Sequence, residues 1–125
     1  MSSEGAAPAT LQRAVDRERD HVRGGTAKNP VVVVVYGDYL CPYCRRLRFI
    51  IARLRRALGE RLAYVYRHYP NERAHPGAQF VSRAAEAAAR QGRFWEMHDA
   101  IYEAEPPLKP DTVRALAKRI GLDMA

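Results

Sequence analysis

Cysteine is almost absent from this 125-residue chain: two residues, Cys41 and Cys44, are all it has. A framework of several structural disulfides is therefore excluded, and a pair this close in sequence is expected to be catalytic rather than a structural bridge. Lysine is nearly as scarce, three residues against 18 arginines, so the net charge of +7 is carried by guanidinium groups. No stretch approaches the roughly 20 apolar residues that a membrane helix requires. The N-terminus, Met1-Ser2-Ser3-Glu4-Gly5, has no basic segment followed by a hydrophobic core, so a secretory leader is not expected and the cytoplasm is the default location. There are no repeats or low-complexity tracts. The 47% apolar and 28% charged fractions are those of one soluble globular domain.

What is present centres on Cys41-Pro42-Tyr43-Cys44. Upstream, Val31-Val32-Val33-Val34-Val35-Tyr36 is uninterrupted and β-branched, the pattern of a strand buried on both faces of a sheet. Downstream, Leu47, Ile50, Ile51, Leu54 and Leu58 recur at three- and four-residue intervals and predict one face of a helix ending near Gly59. Cys41 then falls at a helix N-terminus, where unpaired N–H groups favour thiolate over thiol. Pro42 suits the first helical turn, because its missing N–H would have had no partner there. Cys44, three residues on, is within reach of a mixed disulfide at Cys41, which makes Cys41 the nucleophile and Cys44 the resolving thiol. A zinc site would need two of His21, His68, His75 and His98 as further ligands, and no His-x3-5-His pair exists, so no metal is expected.

A second strand is expected at about Arg61–His68, giving a strand-helix-strand crossover that sets the cysteines at the carboxyl edge of a parallel sheet. Residues 1–10 read as a flexible tail, and Leu11 to Arg23 as either an edge strand or a lead-in helix. Beyond Pro76-Gly77 the pattern is helical only: Ala78 to Arg90, Phe94 to about Glu103 with Trp95, Met97, Ile101 and Tyr102 as core anchors, and a last helix from near Asp111 to Gly121 with Asp111 as its N-cap. The arginines after the cysteines occupy positions left by the apolar stripe, as on a solvated face, so nucleic-acid binding is not expected. Arg45 and Arg46 are near enough to the cysteines to stabilise a thiolate, and His68 is a candidate polarising group.

Several segments together resemble a known family. Tyr36-Gly37-Asp38-Tyr39-x-Cys41-Pro42-Tyr43-Cys44, Arg67-His68-Tyr69-Pro70 followed by His75-Pro76, Ala84-Ala85-Glu86-Ala87-Ala88, and Gly92-Arg93-Phe94-Trp95-Glu96-Met97-His98-Asp99 resemble the DsbA-like branch of the thioredoxin superfamily over about residues 20–123. The similarity extends to bacterial thioredoxin-like domains that occur alone or fused to sodium/proton antiporters. It implies an α/β thioredoxin-like fold with an inserted helical subdomain: one domain over residues 11–125, a βαβ core at about 30–70, and the insertion at about 76–121. It also implies disulfide exchange with protein thiols at an active site of Cys41, Pro42, Tyr43 and Cys44, with no cofactor. Glutaredoxins share Cys-Pro-Tyr-Cys, so glutathione is an alternative partner, and a non-catalytic basic interaction module is a further alternative. Family members continue into a cis-proline loop and more strands. No Thr-Pro or Val-Pro pair follows Gly121, so the fold is expected to be C-terminally incomplete, with a two-stranded sheet that a second copy could complete.

Overall fold

A computed structural model describes residues 11–125; the tail expected at residues 1–10 lies outside the described residues. The elements in order are β1 (His21–Gly24), β2 (Val31–Gly37), α1 (Pro42–Leu58), a single 3-10 turn (Gly59–Arg61), β3 (Leu62–His68), α2 (Ala78–Arg90), α3 (Phe94–Glu103) and α4 (Pro110–Arg119). No helix among them is long and apolar enough to cross a membrane.

Among the described residues three strands form the sheet, in the order β1-β3-β2, one more than the two expected. The third is β1, which settles the open choice for the segment before Gly24. It runs antiparallel to β3, with His21 opposite Tyr66 and Gly24 opposite Ala63. On the other side β2 runs parallel to β3, from Val31 opposite Leu62 to Gly37 opposite His68. Parallel neighbours require a crossover, and α1 supplies it.

The central strand is therefore β3, six of whose seven residues are buried. This corrects the reading of the valine run. β2 is an edge strand, with Val31 56% and Val32 48% exposed; Val33 and Val35 pack only partly against the core. The run of β-branched residues reports strand propensity, and the choice of centre belongs to whichever strand finds partners on both sides. A similar correction applies to α1. Of its apolar stripe only Ile51 is buried, while Ile50 is 55% exposed beside an exposed Phe49, because the helix turns only part of that stripe towards β3 and the core.

The remaining helices close one apolar cluster over the sheet, in which Tyr39, Tyr64 and Tyr66 meet Val81 and Ala85 of α2, Met97, Ile101 and Tyr102 of α3, and Val113 and Leu116 of α4. Trp95, expected as a core anchor, is only partly buried against this cluster. Asp111 is not the cap of α4. Pro110 takes the first helical position and Lys109 the N-cap, without a side-chain hydrogen bond, since a proline at N1 shifts the start one residue upstream.

One buried ion pair ties the lead-in segment to the sheet. Arg67 donates from Nε and Nη2 to the two oxygens of Asp20, both at 2.9 Å, with side-chain exposures of 4% and 2%. Arg67 also donates to the Tyr36 hydroxyl at 2.7 Å and to the Ala14 carbonyl at 3.2 Å. The hydrogen bond from Arg67 holds the Asp20 carboxyl down at about 2, against the cost of burial. Replacing Asp20 with Ala leaves this guanidinium buried without its counter-charge, and a loss of about 3–5 kcal/mol of stability is expected in urea denaturation.

Gly37 ends β2 against the ring of Tyr66. A Cβ there would overlap Cε1, Cζ and the hydroxyl oxygen of Tyr66, and Tyr66 is fully buried and cannot move aside. Gly37→Ala is expected to destabilise by about 1–3 kcal/mol through overpacking, read as a lower urea midpoint with an unchanged slope.

Candidate functional site

The site lies where β2 hands over to α1, and a carboxylate shapes the connecting loop. Asp38 is buried. Its Oδ1 accepts from the Leu40 N–H at 2.9 Å, the side-chain turn that an aspartate two residues upstream makes readily. Its Oδ2 accepts from the Asn71 N–H at 3.0 Å and meets Nδ1 of His75 at 2.9 Å. The Asp38 carbonyl accepts from the Cys41 N–H at 3.1 Å. One residue thus fixes the approach of the chain to Cys41 and docks the segment after β3 beneath it; the Tyr69 N–H donating to the Gly37 carbonyl at 2.8 Å seals the same junction.

Cys41 is the N-cap of α1, with extended backbone (φ −73°, ψ 122°), and Pro42 opens the helix. The Cys41 carbonyl accepts the first helical hydrogen bond, from Arg45 N–H at 2.9 Å. Cys44 sits one turn in. Both thiols are free and half-buried. Burial pushes the Cys44 thiol above its usual range, opposed by a backbone hydrogen bond from Asp38 and reinforced by its hydrogen bond with Cys41. Tyr43 is 75% exposed, with the Arg46 guanidinium 4.9 Å from its ring centre.

Two helper residues anticipated from the sequence are engaged elsewhere. Arg45 donates to the carbonyls of Tyr39, Ile101, Tyr102 and Ala104. It thereby satisfies the C-terminal end of α3 and ties it to the start of α1. His68 turns its Nε2 to Glu86 at 2.7 Å, and burial pushes its imidazole below the usual range despite that carboxylate.

Beneath the loop stands His98, which the sequence offered only as one of four possible zinc ligands and as part of a family-like segment. His98 is buried among Tyr39, Tyr64, Tyr66, Phe94, Trp95 and Tyr102, with ring centres 4.6–6.0 Å away. Its Nδ1 shares a hydrogen bond of 2.8 Å with the Tyr39 hydroxyl. Burial first, and the charge of Arg23 next, lower it to about 3. Asp38 carried a signal in the Gly-Asp turn; the sequence around His98 did not mark its buried pairing with Tyr39, because its cage is assembled from β3, α3 and the active-site loop.

The His98 shift has a sign. Unfolded, the imidazole takes a proton near 6.5; folded, it refuses one until about 3. The unfolded state therefore binds more protons as pH falls, and stability drops through that window by about 1.4 kcal/mol per pH unit from this residue. Urea midpoints between pH 6.5 and 4 should show a slope that His98→Gln makes shallower. An unchanged slope would remove His98 from the account of acid stability.

The whole arrangement has relatives. Residues 16–123 match the thioredoxin family. The Na(+)/H(+) antiporter NhaA 1 of Mycobacterium sp. (strain KMS) is 45% identical over 115 residues, which are 92% of this chain and 19% of that protein. A thioredoxin-like oxidoreductase from Silicibacter pomeroyi DSS-3 superposes with a TM-score of 0.73 at 32% identity, over 83% of this chain and 58% of that one. The thiol-disulfide exchange protein alpha-DsbA2 of Wolbachia pipientis superposes with a TM-score of 0.68 at 19% identity, over 81% of this chain and 53% of that one. The chain thus spans about a fifth of the antiporter and between half and three fifths of the two solved chains. The chain belongs to the thioredoxin family.

Proposed function

We propose that this chain is a thiol–disulfide oxidoreductase that exchanges disulfides with protein substrates through Cys41 and Cys44. The observation that carries the reading is the placement of two free thiols one turn apart at a helix N-terminus, Cys41 as the cap and Pro42 as the first helical residue. Helix N-termini favour thiolates, and the thiolate is the nucleophile of exchange.

In the reducing direction the Cys41 thiolate attacks one sulfur of a substrate disulfide. A new S–S bond forms to Cys41, the substrate bond breaks, and the electron pair leaves with the other substrate sulfur, which takes a proton. Cys44, deprotonated, then attacks Cys41, releasing the second substrate thiol and leaving a Cys41–Cys44 disulfide. Two electrons have passed to the substrate, and the oxidising direction is the reverse. Pro42 and Tyr43 form the surface between the two thiols. The exposed ring of Tyr43, with Tyr69 also exposed on the segment docked below, offers apolar contact to an extended protein substrate. The three helices that follow β3 favour a protein substrate of the DsbA-like kind over glutathione.

Trapping tests this reading. With insulin as the disulfide substrate, Cys44→Ser should accumulate a covalent adduct that dithiothreitol dissolves, Cys41→Ser should form none, and the unaltered pair should turn over. Because burial holds Cys44 as the thiol, release of substrate by the unaltered pair should quicken by about tenfold per pH unit through neutrality, as the thiolate fraction does. An adduct formed equally well by Cys41→Ser would overturn the assignment. Adducts with glutathione but never with insulin would move it to the glutaredoxin-like alternative.

A further inference from the structure

Two histidines from distant parts of the chain converge on one carboxylate. His21 comes from β1, His68 from the last position of β3 and Glu86 from the middle of α2. The Nε2 atoms of both rings point at the same carboxylate oxygen of Glu86, at 2.6 Å and 2.7 Å. The three potential ligand atoms lie within 4.8 Å of one another, in the one grouping of three such residues among the described residues.

We infer that His21, His68 and Glu86 form a binding site for a divalent transition-metal ion of the zinc type. The donor set of two imidazole nitrogens and a carboxylate is one that zinc accepts, with three protein ligands and a fourth position open. Tetrahedral coordination at bond lengths of about 2.0–2.1 Å separates ligand atoms by roughly 3.3 Å. The histidine–glutamate pairs must therefore open by roughly 0.6–0.7 Å, and the histidine nitrogens draw together by at most roughly 1.5 Å, movements within reach of side-chain rotation alone.

The rings are already oriented for this. His21 is stacked flat on Phe94, with centres 3.6 Å apart and planes 3° from parallel, and His68 stands edge-on against Tyr66 at 5.5 Å. A cavity of about 370 Å3 opens on the group between His21, Tyr36, Tyr66 and Glu86, which leaves room for a water or an added ligand in the fourth position. Three guanidinium groups line that cavity and each has a carboxylate partner: Arg67 is paired bidentately with Asp20, Arg13 reaches the same carboxylate at 3.2 Å, and Arg19 lies 3.8 Å from Asp16. Bound there, the ion would join β1, β3 and α2. It is a staple between the sheet and the helical layer, separate from the thiol pair.

Zinc and cobalt(II) titrations of the tag-free chain carrying Cys41→Ser and Cys44→Ser test the site with the competing thiolates removed. Calorimetry should give one zinc per chain. Cobalt(II) should show the visible bands of a four-coordinate ion without the near-ultraviolet charge transfer of a thiolate ligand, and zinc should raise the melting temperature by mass action. Glu86→Gln and His21→Gln, both at partly exposed positions, should each weaken binding by more than about 100-fold, since even the loss of outer-shell partners costs about 10–100-fold. Their metal-free melting curves report whether each still folds. The inference fails if the double-serine chain binds neither ion at micromolar to submillimolar concentration, or if folded Glu86→Gln or His21→Gln binds as tightly as its parent. Because both active-site thiols are absent throughout, neither result depends on the exchange reaction.

Discussion

Parallel pairing of β2 with β3 is the constraint from which the site follows. Two parallel neighbours cannot be joined by a tight turn, so the chain must leave the carboxyl end of β2, cross the sheet and return to begin β3 at the opposite end. α1 is that crossover, and its N-terminus stands at the carboxyl end of the sheet because β2 ends there. Cys41 acquires its position as helix cap from this geometry. Gly37 permits it by letting the strand end lie against the Tyr66 ring.

Polar groups buried around that junction divide the work of holding it. Asp38 gathers backbone N–H groups from Leu40 and Asn71 and the ring of His75, so the loop before the cysteines and the loop after β3 become one unit. Arg45 answers the open carbonyls at the end of α3 and brings the helical layer to the same corner. Asp38, buried, and Arg45, half-buried, each act as a multiple hydrogen-bonding partner, which is favourable only when nearly all the group's capacity is met. That requirement explains why Arg45 is not free to serve the thiols: its guanidinium already has four acceptors.

The thiol pair occupies this corner, and the remaining surface has features of its own. The outer edge of β2 pairs with no strand among the described residues, and its first valines are exposed. On the opposite side of the sheet, two histidines and a glutamate converge next to the Asp20–Arg67 pair. The fold therefore presents a thiol pair at one end of α1 and a nitrogen-oxygen ligand set across β1, β3 and α2, built from different elements.

Whatever local physics controls was legible in the amino-acid order. Cys-Pro-Tyr-Cys after a β-branched run and before an apolar stripe specifies a strand, a turn and a helix that starts at the first cysteine, and glycine and proline punctuation marked Ala78–Arg90 and Phe94–Glu103 as helices. Tertiary structure decided what depends on neighbours distant in the chain. It made β3 the centre and the valine-rich β2 an edge, recruited His21–Gly24 as a third strand, and left Ile50 in solvent. It caged His98 in rings from several elements, and it gave His68 to Glu86 and His75 to Asp38. A side chain's partner is set by which elements pack together, and a residue's own neighbours in sequence carry no record of that choice.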